Sequence, residues 1–347
     1  MGRGRGEPAK PSARIALGSV DRRATTGRLT RGIVVVGLLA IAVLALVVAW
    51  GDAPAVLGAL GRFPPLLVLP VVLLTVWNYV LRWLRWNYYL RVLGVSGVDG
   101  ASSALVFLSG FAMGLTPGKS GELTKSYWLR EIAGAEQAPL ARTAPIVFAE
   151  RLVDGIAMLL LATSGLITFR FGGLALLLVA ALAAAAVGLI QARPLVHWIL
   201  RWLEARPRAR RAAELIETAY DSARELLTWR RLVLAVGVGM LSWGGECLAL
   251  YVILLGLGAR PSLELVNQST FALAAGSLVG SASLLPGGIG AAEGTVAAVL
   301  DLVARQPRDV AAAATLLIRL CTLWFGVALG AVSLVVLARR LVARSAH

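Results

Sequence analysis

The sequence is short of the residues that most enzyme chemistry needs. Among 347 residues there are two histidines, His197 and His347, and two cysteines, Cys247 and Cys321. Histidine-based metal sites and Ser-His-Asp chemistry have almost no material to work with. Both cysteines sit in apolar runs and read as small hydrophobes, so no metal site, redox motif or cofactor is expected. Charge is scarce too: 15% of residues are charged and 58% hydrophobic, with a mean hydropathy of +0.77. Soluble domains carry about a quarter charged residues. An ordinary soluble enzyme, a disordered chain and a disulfide-stapled module are thereby excluded.

The charge that is present is one-sided, at a formal net +15. Nucleic-acid binders gather such charge on one folded face. Here Lys and Arg flank long apolar runs, the pattern of a polytopic membrane protein, and no nucleic-acid partner is expected. A spanning helix needs about 20 mostly apolar residues. Six segments meet that need: 32–50, 64–84, 144–168, 173–192, 232–257 and 310–337. Residues 1–31 form a basic tail rich in Gly, Pro, Arg and Ser, too long for the n-region of a cleaved signal peptide, and are expected to be retained and disordered. With that tail in the cytoplasm, 27 Lys and Arg fall inside and 5 outside. The bias places both termini in the cytoplasm of a bacterial inner-membrane protein.

The organisation that follows is a single transmembrane domain over 32–338, with a short tail at 339–347. It holds a first repeat at about 64–169, a cytoplasmic connector at 193–231 and a second repeat at about 232–338. Residues 208–228 are amphipathic and read either as a helix on anionic inner-leaflet lipid or as a solvated linker.

Two apolar stretches are interrupted. Residues 104–130 contain Pro117-Gly118-Lys119-Ser120-Gly121-Glu122, and residues 271–303 contain Pro286-Gly287-Gly288-Ile289-Gly290. Proline removes a backbone donor and glycine permits positive φ, so neither stretch is expected to be one helix. Backbone freed at a break must be buried in protein or line a wet cavity. Both stretches are therefore expected to be re-entrant helical hairpins in an all-α protein of six full spans. Eight spanning helices is the alternative. The breaks align at an offset of 169, and Arg151-Leu152 aligns with Arg319-Leu320 at 168. The assigned topology sends the hairpins in from opposite faces, which makes an inverted repeat with a substrate site at the repeat interface.

Ionisable residues inside apolar spans are costly and usually face a cavity. The candidates are Glu150, Arg151, Asp154, Glu246, Glu293 and Arg319. Arg151 and Asp154 are i,i+3 neighbours, so they either lock each other or serve the cavity. Ser120 is expected to cap a helix beginning near Gly121, with Glu122 in its first turn. Such an N-terminus beside Lys119 suits a lipid phosphate, although Lys119 could equally snorkel to the headgroups. Lys125 is expected at the inner surface. Gly118-Lys119-Ser120 is not a nucleotide loop, because the preceding glycine is one residue too close. Trp77, Tyr79, Trp83, Trp86, Tyr88 and Tyr89, beside Arg82, Arg85 and Arg91, read as an interfacial anchor belt. Asn78 is a lesser candidate for the cavity.

Three runs carry a resemblance: Leu115–Arg130 (LTPGKSGELTKSYWLR), Phe148–Asp154 (FAERLVD) and Leu285–Glu293 (LPGGIGAAE). Over about residues 30–340 the chain resembles the flippase-like transmembrane region of lysylphosphatidylglycerol synthases, a family with many stand-alone members. The resemblance implies a lipid-translocating fold with re-entrant helices. By motif match it marks Lys119, Glu122, Glu150, Arg151, Asp154 and Glu293. The full synthases add a soluble C-terminal domain that transfers an aminoacyl group from tRNA. This chain ends at His347, so that activity is not expected. The expected function is movement of a phospholipid or phosphate-linked lipid between leaflets, without ATP. The alternatives are a membrane-embedded lipid headgroup or glycosyl transferase, and a non-catalytic scaffold.

Overall fold

The computed structural model describes residues 37–169 and 210–345, together with Ala181, Ala184 and Gly188. The described residues are helical and contain no strand. Helix α1 (Gly37–Trp50) turns by 96° into α2 (Ala53–Arg62). Asp52 makes the corner with φ of 64°, and a proline in the first turn of α2 fixes its start. A short 3-10 turn, Pro65–Leu67, leads into α3 (Val68–Val92). Then follow α4 (Gly100–Met113), α5 (Thr124–Ala133), α6 (Leu140–Phe169) and α7 (Arg210–Leu226). The second half holds α8 (Trp229–Gly256), α9 (Leu263–Ala282), α10 (Ala291–Ala298), α11 (Arg308–Arg319) and α12 (Phe325–Ser345).

Among the described residues three helices are long and apolar enough to cross a membrane: Pro65–Val92, Trp229–Gly256 and Arg308–Ala343. The bent pair α1–α2 makes a fourth if it counts as one span. The expected span at 144–168 falls inside α6. The one at 173–192 lies outside the described residues, apart from three positions.

Helix α3 shows why this chain needs a lipid surround. Leu69, Leu73, Trp77, Val80 and Leu84 recur at three- and four-residue steps and are all exposed. The opposite stripe, Val71, Thr75, Asn78, Arg82, Arg85 and Tyr89, is buried. A water-facing helix has the reverse arrangement. Apolar outside and polar inside is the arrangement that hydrocarbon selects. It also corrects the boundary and the anchor belt read from sequence. Arg82, Arg85, Trp86 and Tyr89 are buried in the protein, and the helix continues past Leu84 to Val92. Asn78 does not face the cavity either. It donates to Ser242 Oγ at 3.4 Å, joining α3 to α8.

Both interrupted stretches are broken as expected. Helix α4 is about 21 Å long at 1.5 Å per residue, short of a hydrocarbon core of about 30 Å. It is followed by a 3-10 run, Pro117–Leu123, and then by α5, which packs back on α4. Here Thr116 is the organiser: its Oγ1 accepts from Gly121 N–H at 2.6 Å and donates to the Met113 carbonyl at 2.9 Å. The helix therefore starts at Thr124 rather than near Gly121, with Leu123 rather than Ser120 at its N-cap position and no side-chain cap there. At the second break, Gly287 takes φ 61° and ψ 9°, a left-handed conformation that glycine alone adopts without cost. Helix α10 then packs on α9, and the two breaks touch each other.

The packing is reciprocal. Helices α3 and α8 run antiparallel, with Phe63 beside Gly256, Trp77 beside Gly245 and Arg85 beside Gly239. Helix α4 lies on α12, and α9 lies on α6. Two separate apolar cores result. One gathers Trp86, Phe107, Leu129, Ile146 and Leu337 around the first break, and the other gathers Leu250, Ala272, Val296, Leu300 and Ile318 around the second.

Candidate functional site

Between the two broken units lies a cavity of about 390 Å³. Its charged lining is balanced: the guanidiniums of Arg82, Arg151 and Arg319 and the carboxylates of Glu122, Asp154 and Glu246. Uncharged wall comes from α9 through Gly276, Ser277 and Gly280.

Helix α6 aims successive residues in different directions, about 100° apart. Glu150 turns to α5 and accepts from Lys125 Nζ at 2.6 Å. Arg151 turns to the first break and holds both carboxylate oxygens of Glu122, its Nε donating at 3.1 Å. Asp154 turns to α3, accepting from Arg85 Nη2 at 2.5 Å and lying 3.3 Å from Arg82. The i,i+3 pair Arg151 and Asp154 anticipated on α6 thus resolves into partners on two other elements, and Glu150 finds its own on a third. Lys125 is buried over the faces of Trp86 and Phe107 rather than lying at the surface, and neither it nor Glu150 lines the cavity.

The second break is held in a matching way. Arg319 Nε donates to Glu293 Oε1 at 2.6 Å, and its Nη2 donates to the Gly287 carbonyl at 3.1 Å. Glu293 Oε2 in turn accepts from Gly290 N–H at 2.8 Å, at the start of α10. Each break therefore carries a glutamate clamped by an arginine from the long helix that follows. Just past Arg319 the chain winds into a π-helical turn, Leu320–Trp324. Tyr79 donates its hydroxyl to the Thr322 carbonyl there at 2.7 Å, tying the π turn to α3.

Glu246 stands apart. It is buried, it lines the cavity, and it has no ion pair or hydrogen bond among the described residues. Arg82, flanked by the Phe111 and Trp243 rings at 5.6 and 5.4 Å, and Arg319 are the cations that act on it.

Of the residues singled out from sequence, the structure brings Glu122, Arg151, Asp154, Glu246 and Arg319 to one cavity, with Gly287 and Gly288 in its wall. Glu293 stands behind Arg319. Ser120 is exposed, and the side chains of Pro117, Gly118 and Lys119 lie outside the described residues. Arg82, Tyr79 and Trp243 were missed as cavity residues, and Arg85 as the buried partner of Asp154 behind them. The signal for the arginines was the polar stripe at 75, 78, 82 and 85, on the face of α3 opposite its leucines.

Apolar stripes turned outward and an ionic cavity between packed breaks define a multi-pass helical membrane protein. Residues 35–330 match the family described as the lysylphosphatidylglycerol synthase TM region, and the chain belongs to that family. Its relatives include a "UPF0104 membrane protein" of Methanothermobacter thermautotrophicus, 28% identical over 323 residues, covering 86% of this chain and 92% of that one. Another match with that printed name and organism is 38% identical over 95 residues, 27% of each chain.

Proposed function

We propose that this protein moves a phospholipid or phosphate-linked lipid between membrane leaflets without hydrolysing ATP. One observation carries the reading: an apolar bundle keeps three guanidiniums around a cavity of about 390 Å³. That volume is at the small end of ligand sites and suits a headgroup rather than a whole lipid. Guanidinium is the side chain best matched to phosphate oxygens. Of the three, Arg151 is the most open to an incoming ligand, with 31% of its side chain accessible. Lys119, in the sequence of the first break, would supply a further cation to the phosphate.

The inverted-repeat reading rests on the reciprocal packing. Equivalent helices α3 and α8 are antiparallel, α4 and α9 each lie on the other unit's long helix, and Glu122–Arg151 has its counterpart in Glu293–Arg319. Two such units joined by touching breaks form a pair that can rock about a midplane site, the usual basis of alternating access. In this reading the breaks are re-entrant, and both termini face the cytoplasm of a bacterial inner membrane. The transferase alternative has less support, because every lining carboxylate except Glu246 is engaged by a guanidinium.

The test is reconstitution into vesicles holding trace fluorescent phospholipids of several headgroups. Protein-dependent exposure of inner-leaflet label to an impermeant quencher supports the reading. Label that stays put for every headgroup refutes it.

A further inference from the structure

We infer that the lipid is carried together with a proton, and that Glu246 is the residue that holds that proton. The inference rests on the lipid-transport reading and names its co-substrate.

The cavity cluster is electrically balanced. Arg82, Arg85, Arg151 and Arg319 face Glu122, Asp154, Glu246 and Glu293, so with every group ionised the cluster is neutral. Most of these charges are committed in pairs. Glu122 belongs to Arg151, Glu293 to Arg319, and Asp154 to Arg85 at 2.5 Å. What remains is Arg82, held to Asp154 at the longer 3.3 Å, and Glu246, held by nothing among the described residues.

Among the described residues the charged and titratable groups facing Glu246 from other helices are few. Helix α3 presents Arg82 and the Tyr79 hydroxyl, α6 presents Asp154, and α11 presents Arg319. Helix α9 lines the cavity with uncharged residues only. The cations beside Glu246 are therefore Arg82 and Arg319. These are cavity guanidiniums that a phosphate would engage.

A lipid phosphate entering this cavity brings one negative charge into a site that is already neutral. An uncompensated charge in a low-dielectric interior is expensive, and a titratable neighbour adjusts before that cost is met. Glu246 is the lining carboxylate with no hydrogen bond or ion pair to lose on protonation. Phosphate binding at Arg82 removes its counter-charge, and the carboxylate takes one proton from hydronium, leaving water. When the lipid leaves at the other leaflet, Arg82 is vacated and the proton is released there. One anionic lipid and one proton move together, so the cycle carries no net charge.

The experiment uses the full chain in phosphatidylcholine vesicles holding trace fluorescent phosphatidylglycerol, with a pH difference imposed by impermeant buffers. One proton per lipid predicts that label accumulates in the leaflet facing the alkaline side, up to about tenfold per pH unit. Clamping the membrane potential with potassium and valinomycin should leave that ratio unchanged. In Glu246→Gln the label distribution no longer follows the pH difference, whatever its rate of movement, whereas Glu246→Asp keeps the response. Movement of label that ignores the pH difference, follows a sodium gradient instead, or still responds in Glu246→Gln overturns the inference alone. If Glu246→Gln does not fold, the wild-type response to the pH difference decides. Absence of phosphatidylglycerol movement at any pH defeats this inference, and the lipid reading falls with it when every other headgroup also stays put.

Discussion

The Arg319 guanidinium holds Gly287 by its carbonyl at 3.1 Å while it clamps Glu293 at 2.6 Å. One side chain thus fixes the left-handed turn of the second break and the helix that restarts after it. Glu293 is 2% accessible as a side chain, so removing its partner leaves a buried, underpaired carboxylate. Arg319→Ala should cost about 3–5 kcal/mol of stability, the usual penalty for breaking a buried pair. Arg319→Lys can keep the carboxylate but not both contacts, and should fall between. Thermal unfolding in detergent reads both.

Arg151 makes the corresponding clamp on Glu122, but with far more of its side chain open to the cavity. Arg151→Ala should therefore lose less stability than Arg319→Ala. Its transport rate should fall about tenfold or more, as expected for loss of one charge-assisted contact to phosphate. Comparing melting temperature and rate at equal reconstituted protein separates the two effects.

The Lys125–Glu150 pair is buried outside the cavity. Lys125→Ala should be strongly destabilising, again by about 3–5 kcal/mol, because Glu150 is left uncompensated. Replacing both together with Lys125→Met and Glu150→Leu should recover most of that loss and leave lipid movement intact. A double variant that is stable but inert would give this pair a part in transport.

The contact between α3 and α8 depends on a missing side chain. A Cβ on Gly245 would sit 2.9 Å from Trp77 Cδ1 and 3.2 Å from the Leu74 carbonyl oxygen. Gly245→Ala should cost about 1–3 kcal/mol through overpacking. Gly237 has open space around it, and Gly237→Ala is the matched control in the same helix.

Asp99 caps α4, accepting from the Ser102 N–H at 3.0 Å. Hydrogen bonds from Ser102, side chain and backbone, hold its carboxyl below the ordinary aspartate range. A carboxyl depressed in the folded state stabilises above its unfolded value of about 3.9, and that stability is lost as pH falls through the folded value. Asp99→Ala should cost about 1 kcal/mol at neutral pH and little at strongly acidic pH. Melting temperatures measured across that range check the sign.

Much of the site was legible in the sequence because its parts are rare in apolar surroundings. Pro117, Pro286 and the glycines after them marked both breaks, Glu122 came with the first of them, and Arg151, Asp154, Glu246, Glu293 and Arg319 stood out as charges inside long apolar stretches. What sequence could not give was rotation about the helix axis. Arg82 and Arg85 near the end of an apolar run look like charges reaching for the headgroups, and only their register with Asn78 and Thr75 turns them inward. Lys125 was misplaced for the same reason: Gly110 leaves the space it fills, since a Cβ there would sit 2.9 Å from its Cδ, and that fit exists only after α4 and α5 pack. Thr116 was overlooked because its bond to Gly121 closes only inside the 3-10 turn.

The most direct measurement is the movement of fluorescent phosphatidylglycerol in vesicles containing the wild-type chain or the Arg82→Ala and Arg151→Ala variants. The expected result is that inner-leaflet label becomes reachable by an impermeant quencher with wild type, and far more slowly with either variant at equal protein. Wild-type vesicles that protect their inner leaflet as well as protein-free ones, with phosphatidylglycerol and with each other headgroup put in its place, would contradict it.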